Sequence, residues 1–537
     1  MSGKMEQYFR AAVKNIARLG DTDVFPFPVE NQVFHDEPGR VVEILYRLHR
    51  DFRAVLHKQH PLTQSMLTPV GYTGFRWATQ IDPLWNAYLL ALVISIGGQI
   101  ENARMSVDRG VVFSYRFRRE KESGYIFDRT GGWSGFQERS LALAARFKNV
   151  LSCDISDFYP RIYHHRLENS LHKAAEGSDA IWRIMKILKA LAGNVSYGLP
   201  VGGQAARLLS ELLLNRVDRL LSANGITFCR YADDYRLFAD SDEEAYQHLV
   251  FLSTKLLENE GLLLQKSKTR VMSSEEFLAT SEFSEHNVPE SAIEEEARAF
   301  LRLRLHYDPY SPTRVEDYEA LLHELSRFDV VGMLARELRK GRIHQPLTRR
   351  LVGAILHLSP PLRKNAITSL LENLPVLYPV FPNVALVIKS MLPELDKETA
   401  TSVCAQVRKL VEDGSHIVAV PSNLAYAVRI LAYDVSEEAD EILAKIYRHT
   451  TNLVIRRDVI LAMAKKGADY WISDLKNSFV SLSPWEQSAL LIASHILADD
   501  EGKYWRDSIY GSLTDFQRLI VEWGGKHVTR RSWGVYL

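Results

Sequence analysis

Residues 227–238 read TFCRYADDYRLF. Two runs of β-forming residues, Thr227–Arg230 and Tyr235–Phe238, flank Tyr231-Ala232-Asp233-Asp234. The pattern predicts a β-hairpin whose tight turn carries two adjacent carboxylates. Two anions side by side repel, so the pair is either a solvated turn or a seat for a divalent cation. A second stretch bears on that choice. Residues 149–160 read NVLSCDISDFYP, an apolar strand interrupted by Asp154 and followed by Asp157, Phe158 and Tyr159. A carboxylate buried in such a run without a partner is costly. Metal ligation alongside Asp233 and Asp234 removes the cost, and three hard oxygen donors suit Mg²⁺, with Mn²⁺ as a substitute. Two such ions about 3.5–4 Å apart activate an attacking hydroxyl and stabilise a leaving pyrophosphate.

The composition sets the frame for these motifs. A chain of 537 residues predicts two to four domains, and 46% hydrophobic with 25% charged residues is ordinary globular composition. The formal net charge is +0, so any grip on nucleic acid has to come from local basic patches. The cysteines, Cys153, Cys229 and Cys404, lack zinc-site spacing and fit a reducing cytosol. The first twenty residues carry charges throughout and show no apolar signal core. The longest apolar run, Ala87–Gly98, is shorter than the ~20 residues that span a bilayer, so it reads as a buried core helix. A cytoplasmic protein with no membrane partner is expected.

Two halves differ in texture. Up to residue 285, helical patterns (Pro83–Arg104, Ser140–Lys148, Tyr163–Ala175, Asp179–Ala192, Gly203–Ala223, Asp242–Asn259) alternate with β-like runs at Val111–Arg116, Asn149–Ile155, Thr227–Phe238 and Thr269–Met272. The acidic stretch Ser281–Ala297 reads as a connector. Residues 286–537 show only helical segments, among them Val315–Leu338, Lys397–Asp413, Glu437–His449 and Val454–Lys466. Apolar residues recur there at i, i+3 and i+4, which predicts either a HEAT-like stack of helix pairs or a compact all-α domain. The expected fold is therefore α+β, with domains at 1–285 and 286–537.

The motifs of the first half resemble, in order, the fingers and palm of reverse transcriptases. Asp154 with Tyr159 resembles that family's first motif and Tyr231–Asp234 its second. Gly198-Leu199-Pro200 resembles the turn between them, and Gly261-Leu262 with Lys268-Thr269 the segment after the hairpin. The resemblance implies a nucleotide-adding polymerase with catalytic Asp154, Asp233 and Asp234. It implies metal ligation by Asp154, Asp233, Asp234 and the backbone of Ile155. The backbone of Ile155, Ser156, Asp157 and Phe158 would cradle a dNTP triphosphate, and Tyr159 would exclude a 2′-hydroxyl. Arg116 resembles the residue that clamps the triphosphate, with Arg104 assisting. Lys268 resembles the lysine near the leaving pyrophosphate; read alone it is equally a surface lysine. Interleaved Phe113, Tyr115 and Phe117 beside the basic run Arg116–Lys121 suit stacking on single-stranded bases.

Val201 follows Leu199-Pro200 where most of that family carries glutamine, and valine cannot hydrogen-bond a base. The region after Thr269 does not resemble a maturase thumb. This combination resembles the abortive-infection (Abi) polymerases AbiK and AbiA, and most closely the Abi polymerase of P2-like prophages. That resemblance implies antiphage defence in a bacterial or prophage setting, DNA synthesis without a template, and priming by a tyrosine hydroxyl of the protein itself. It also implies a single-stranded DNA product attached to the protein and a homo-oligomer, trimer or hexamer. Tyr8, the only tyrosine in the first forty-five residues, is the expected primer, with Tyr536 as the other terminal tyrosine. The other reading is a conventional RNA-templated reverse transcriptase of a bacterial defence system.

Overall fold

A computed structural model describes residues 2–22, 25, 27–120, 123–280, 292–303 and 314–537. Most of the connector and the 285/286 boundary lie outside these residues, as does Lys121. The chain divides into two units. The first comprises Met1–Ser65 and Ala78–Val288, and the second Met66–Trp77 and Pro289–Leu537.

The first unit is α+β. Helices Ser2–Leu19, Pro28–Asp36, Pro38–Arg50 and Phe52–Lys58 precede a two-stranded sheet of β1 (Thr63–Pro69) and β2 (Phe75–Ile81), of which Met66–Trp77 belongs to the second unit. Helix Pro83–Ala103 follows, started by Asp82, whose carboxylate accepts the Leu84 and Trp85 amides, and by Pro83 in the first turn. It is buried on nearly every face, as the apolar run predicted. By length and composition this helix and Leu374–Glu394 would also suffice to cross a membrane, yet both are mostly buried within the protein.

The palm-like core is a four-stranded antiparallel sheet of order β4-β5-β3-β6, with β3 Asn149–Asp154, β4 Thr227–Tyr231, β5 Asp234–Ala239 and β6 Arg270–Ser273. Alternation along the strands gives the sheet two faces. Val150, Cys229 and Phe238 share one face and pack on Phe136, Leu143 and Phe277. The other face, with Leu151, Tyr235 and Leu237, is fully buried and meets helices Gln204–Ala223 and Asp242–Glu260. The expected strand at Val111–Arg116 is no strand. It makes one parallel bridge, Val112 to Arg230, and leaves the sheet edge at Tyr115, whose φ is +44°. The carbonyls of Ser114 and Tyr115 there accept hydrogen bonds from Arg104 instead.

Apart from its share of β1 and β2, the second unit is helical among the described residues, with a hairpin of two-residue strands at Val528–Thr529 and Ser532–Trp533. Its helices pack in two rows. In one, Gln345–Ala354, Phe381–Met391, Pro421–Leu431, Leu453–Lys466, Pro484–Ala493 and Asp515–His527 each pack on the next. In the other, Val330–Leu338, Pro360–Glu372, Lys397–Glu412 and Glu437–His449 do the same. Proline in the first turn and capping boxes at Ser483/Glu486 and Thr514/Gln517 set the starts of several of them. The pattern expected as one helix, Val315–Leu338, is two, Arg314–Leu325 and Val330–Leu338. Asp329 caps the second by accepting the Gly332 amide at 2.8 Å. Within this unit the Tyr72 hydroxyl donates to the Val376 carbonyl at 2.8 Å, and the Tyr378 hydroxyl to the Tyr72 carbonyl at 2.7 Å.

Asp458 is buried between two buried guanidinium groups, with Arg429 Nε and Arg457 Nη1 each 2.7 Å from its oxygens. Removing the anion takes away the carboxylate that these two buried cations share. Asp458→Ala is expected to cost about 3–5 kcal/mol, read as a lower urea midpoint; an unchanged midpoint would contradict this account of the row.

Candidate active site

The β3–β5 register places Asp154 directly opposite Asp234. The β4–β5 register pairs Tyr231 with Asp234 and leaves Ala232 and Asp233 as a two-residue turn. Such turns want a positive φ in their centre, usually from glycine; here Ala232 supplies it at +51°. Strain of this kind persists only where the surroundings over-determine it. One restraint is the Ile155 amide, which donates to the Asp233 carbonyl at 3.1 Å and ties the end of β3 to the turn. The result is a cluster in which ligand oxygens of Asp154, Asp233 and Asp234 all lie within 4.8 Å of one another.

The electrostatics follow from that crowding. Burial, and then the neighbouring Asp154, pushes the Asp233 carboxyl up to about 6. Burial, and then Asp233 and Asp154, pushes Asp234 up to about 7. Asp154 has one compensating cation: Lys268 Nζ is 2.9 Å from its Oδ2. The protein thus holds three hard oxygen donors together at a cost that a divalent cation would relieve, and the donor set fits magnesium or manganese.

A buried ionic lattice supports the turn from the other face of the sheet. Arg230, on β4, is fully buried and grips Asp218 with two hydrogen bonds, Nε at 2.9 Å and Nη2 at 2.7 Å. It also reaches Glu211 at 3.0 Å and donates Nη1 to the Ala232 carbonyl at 2.9 Å, directly under the carboxylate turn. Glu211 in turn accepts from Arg104 at 2.7 Å and from the Ser114 hydroxyl at 2.6 Å. Burial would raise the Glu211 pKa, but Arg230 and Arg104 hold it below the ordinary carboxylate value. None of Glu211, Asp218 and Arg230 stood out in the sequence reading. Their signal was there: an arginine inside an apolar strand, and two acids seven residues apart on one face of an apolar helix.

The other expected site residues are not all gathered at this cluster. Burial, then Tyr115 and Asp233, raises the Tyr159 hydroxyl well above its ordinary value. The Tyr159 carbonyl accepts the Leu199 amide at 2.8 Å, so the Gly198-Leu199-Pro200 turn packs on the first motif. The Ser156 amide donates to Leu263, Phe158 is buried, and Asp157 is exposed at φ +48°. Tyr115 lies tilted against Tyr231, 5.8 Å between ring centroids, with the Arg207 guanidinium 5.2 Å from its own ring. Arg116 is buried rather than open to the cluster: Nη1 pairs with Glu101 at 2.9 Å and Nε donates to Val112. Its Nη2 is buried without a hydrogen-bond partner. His164 starts a helix and bonds the Gly198 carbonyl through Nε2 at 2.8 Å. Tyr8 lies midway along helix Ser2–Leu19, half-buried, with the Arg119 guanidinium 5.6 Å from its ring.

The family described as reverse transcriptase (RNA-dependent DNA polymerase) matches residues 113–297. Those residues carry a reverse-transcriptase domain. The match takes in the sheet strands β3 to β6 and all three carboxylates. Retron Ec86 reverse transcriptase of Escherichia coli is 24% identical over 120 residues, which is 22% of this chain and 37% of that protein. The match therefore spans well under half of the relative. Among solved structures, telomerase from Candida albicans with a telomeric RNA fragment aligns at a TM-score of 0.29 and 13% identity, covering 75% of this chain and 66% of that one. An RdRp complex aligns at a TM-score of 0.29 and 10% identity, covering 97% and 51%.

Two outcomes follow from the geometry. The Asp233 and Asp234 carboxyls sit above their ordinary value in the folded chain, so protonation favours folding and stability falls as pH rises through about 6–7. In a chelator, the melting temperature should drop from pH 5 to pH 8, Asp234→Asn should remove much of that drop, and Mg²⁺ should restore stability at pH 8. An equal drop in Asp234→Asn would contradict the cluster's role. Arg230→Met leaves Asp218 buried without its cation and Glu211 with Arg104 alone, and should cost about 3–5 kcal/mol in urea unfolding, while Arg230→Lys, which keeps the charge but not the fork, should cost less.

Proposed function

We propose that the chain is a nucleotidyltransferase that polymerises dNTPs without a template onto a tyrosine hydroxyl of the protein, and that it acts in antiphage abortive infection. The observation that carries the catalytic part is the convergence of Asp154, Asp233 and Asp234. The apolar Val201 after the Leu199-Pro200 turn supports the template-free part, because valine offers no hydrogen bond to a base or sugar. In the reaction, a hydroxyl oxygen attacks the α-phosphorus of a dNTP, a phosphoester bond forms, the bond to the β-phosphate oxygen breaks, and pyrophosphate leaves. Two divalent cations held by Asp154, Asp233, Asp234 and the Ile155 backbone would lower the pKa of the attacking hydroxyl and neutralise the leaving group.

The chain's own groups do the rest. The backbone of Ile155 to Phe158 forms the floor for the triphosphate; the Ile155 and Ser156 amides are engaged by the Asp233 and Leu263 carbonyls, so the donors in this reading are the Asp157 and Phe158 amides. Tyr159 stands where a ring blocks a 2′-hydroxyl. Lys268, already beside Asp154, is on hand for the departing pyrophosphate. Arg116 serves as the triphosphate clamp once Glu101 releases it. Tyr8 is the priming tyrosine in this reading. The helical unit is a HEAT-like repeat, and the working form is a cytoplasmic homo-oligomer, trimer or hexamer, carrying a single-stranded product.

A second reading is a conventional RNA-templated reverse transcriptase of a bacterial defence system. It is favoured by the likeness to the retron enzyme and by the RNA-dependent description of the matching family. One assay separates the two. Protein, Mg²⁺ and labelled dNTPs without template should give labelled protein of rising mass on a denaturing gel. Incorporation only when an RNA template is supplied would favour the second reading. Asp233→Asn should lower incorporation at least a thousandfold in either case; near-normal incorporation would reject a polymerase centred on these carboxylates. Tyr8→Phe should abolish the covalent adduct while leaving the melting temperature unchanged, and a surviving adduct would reject Tyr8.

A further inference from the structure

The first unit holds a second chemically distinctive surface, built from elements that contribute nothing to the carboxylate cluster. A recess of about 720 Å³ lies between helix Phe52–Lys58 and helix Asp179–Ala192. Arg53, His57 and His60 line one wall at spacings of four and three residues, and Trp182, Lys186 and Lys189 line the other at the same spacing. On a helix that spacing keeps side chains on one face. Lys186 and Lys189 therefore share a face of their helix with Trp182, and Arg53 and His57 share a face of theirs, with His60 just past its end. No aspartate or glutamate lines the recess. Asp51 and Asp179 line the adjoining hollow, where they are already tied to Arg50 at 2.8 Å and Arg183 at 2.6 Å. Among the described residues no carboxylate pairs with Arg53, Lys186 or Lys189, and all three are exposed. In a chain of zero net charge this is a local concentration of uncompensated cations. Trp182 adds a large, half-exposed ring, with the Arg53 guanidinium 4.9 Å from its centroid.

We infer that this recess binds a single strand of nucleic acid. Arg53, Lys186 and Lys189 would neutralise successive phosphates, and Trp182 with the adjacent guanidinium plane would stack an unpaired base. A paired base is already stacked and cannot leave the duplex to lie on a ring set in a recess, so the aromatic element favours single over double strand. Basic groups alone would suit any polyanion. The ring at the foot of the lysine stripe is what narrows the ligand class. The inference stands whether synthesis is protein-primed or templated, because either reaction handles an unpaired strand.

The test uses the full chain carrying Asp233→Asn, so that no extension is read as binding and a failure here leaves the polymerase reading untouched. Fluorescence anisotropy of a labelled oligothymidylate of about 20 nucleotides is followed from about 50 to 200 mM NaCl. The triple substitution Arg53→Glu, Lys186→Glu, Lys189→Glu should weaken binding at least tenfold at the low-salt end. It should also flatten the log–log salt slope by about two, at about 0.7 per lost phosphate contact. Trp182→Ala should weaken binding about fivefold or more without altering that slope, and Trp182→Phe should recover most of the loss. The inference is overturned if the triple variant binds like its parent, or if duplex of the same length binds as tightly and is indifferent to Trp182→Ala. It is overturned equally if tripolyphosphate displaces the oligonucleotide at matched phosphate concentration.

Discussion

Three carboxylates held within a few ångströms of one another repel, and everything near the β4–β5 turn can be understood as what keeps them there. Two unit charges 4 Å apart at a protein surface interact by about 4 kcal/mol, which is comparable to much of a domain's net stability. The covalent chain contributes the strand register, which sets Asp154 against Asp234. The backbone contributes the Ile155 to Asp233 hydrogen bond. Below the turn, Arg230 fixes the Ala232 carbonyl while its own charge is balanced by Asp218 and Glu211. A buried ion pair is a weak source of net stability, because desolvation cancels most of its Coulombic gain. Its value here is positional: a bidentate fork fixes direction, and the strained φ of Ala232 requires such a fix.

The same lattice connects the site to the rest of the first unit. Glu211 and Asp218 belong to helix Gln204–Ala223, and Arg104 ends helix Pro83–Ala103. Through Arg104 the lattice also fixes the carbonyls of Ser114 and Tyr115, where the chain turns away from the sheet edge with a positive φ. The three non-glycine residues with positive φ among the described residues are Tyr115, Asp157 and Ala232. All lie on segments that border the carboxylates. Backbone strain concentrated at one place, with rigid support beneath it, is the arrangement expected of a site whose geometry matters more than its contribution to folding.

The carboxylates were legible in the sequence because local patterns suffice: a two-residue hairpin has a signature, and an acid inside an apolar strand demands an explanation. The core helix Pro83–Ala103 and the palm strands β3 to β5 were legible for the same reason. The β1–β2 hairpin was not, because Thr63-Gln64-Ser65 and Phe75-Arg76-Trp77 alternate poorly, the first starting its strand half-buried and the second exposed. The helices Pro28–Asp36 and Pro38–Arg50 were hidden by prolines that read as breaks but sit in first turns. Helix Asp499–Ile509 carries a glycine, Gly502, pressed against the Ser494 carbonyl, which no periodicity reveals. The burial of Arg116 depends on Glu101, fifteen residues away, and the basic recess depends on residues more than 120 positions apart. Such pairings are set by tertiary packing and leave no local trace.

The account rests on a cation being held by Asp154, Asp233 and Asp234 together. Crystals of the chain equilibrated with Mn²⁺ and a non-hydrolysable dNTP analogue, measured at the manganese absorption edge, test that directly. The account predicts anomalous density at about 2.1 Å from oxygens of all three carboxylates, lost in crystals of Asp233→Asn. Full occupancy of nucleotide with no anomalous density between these side chains would contradict it.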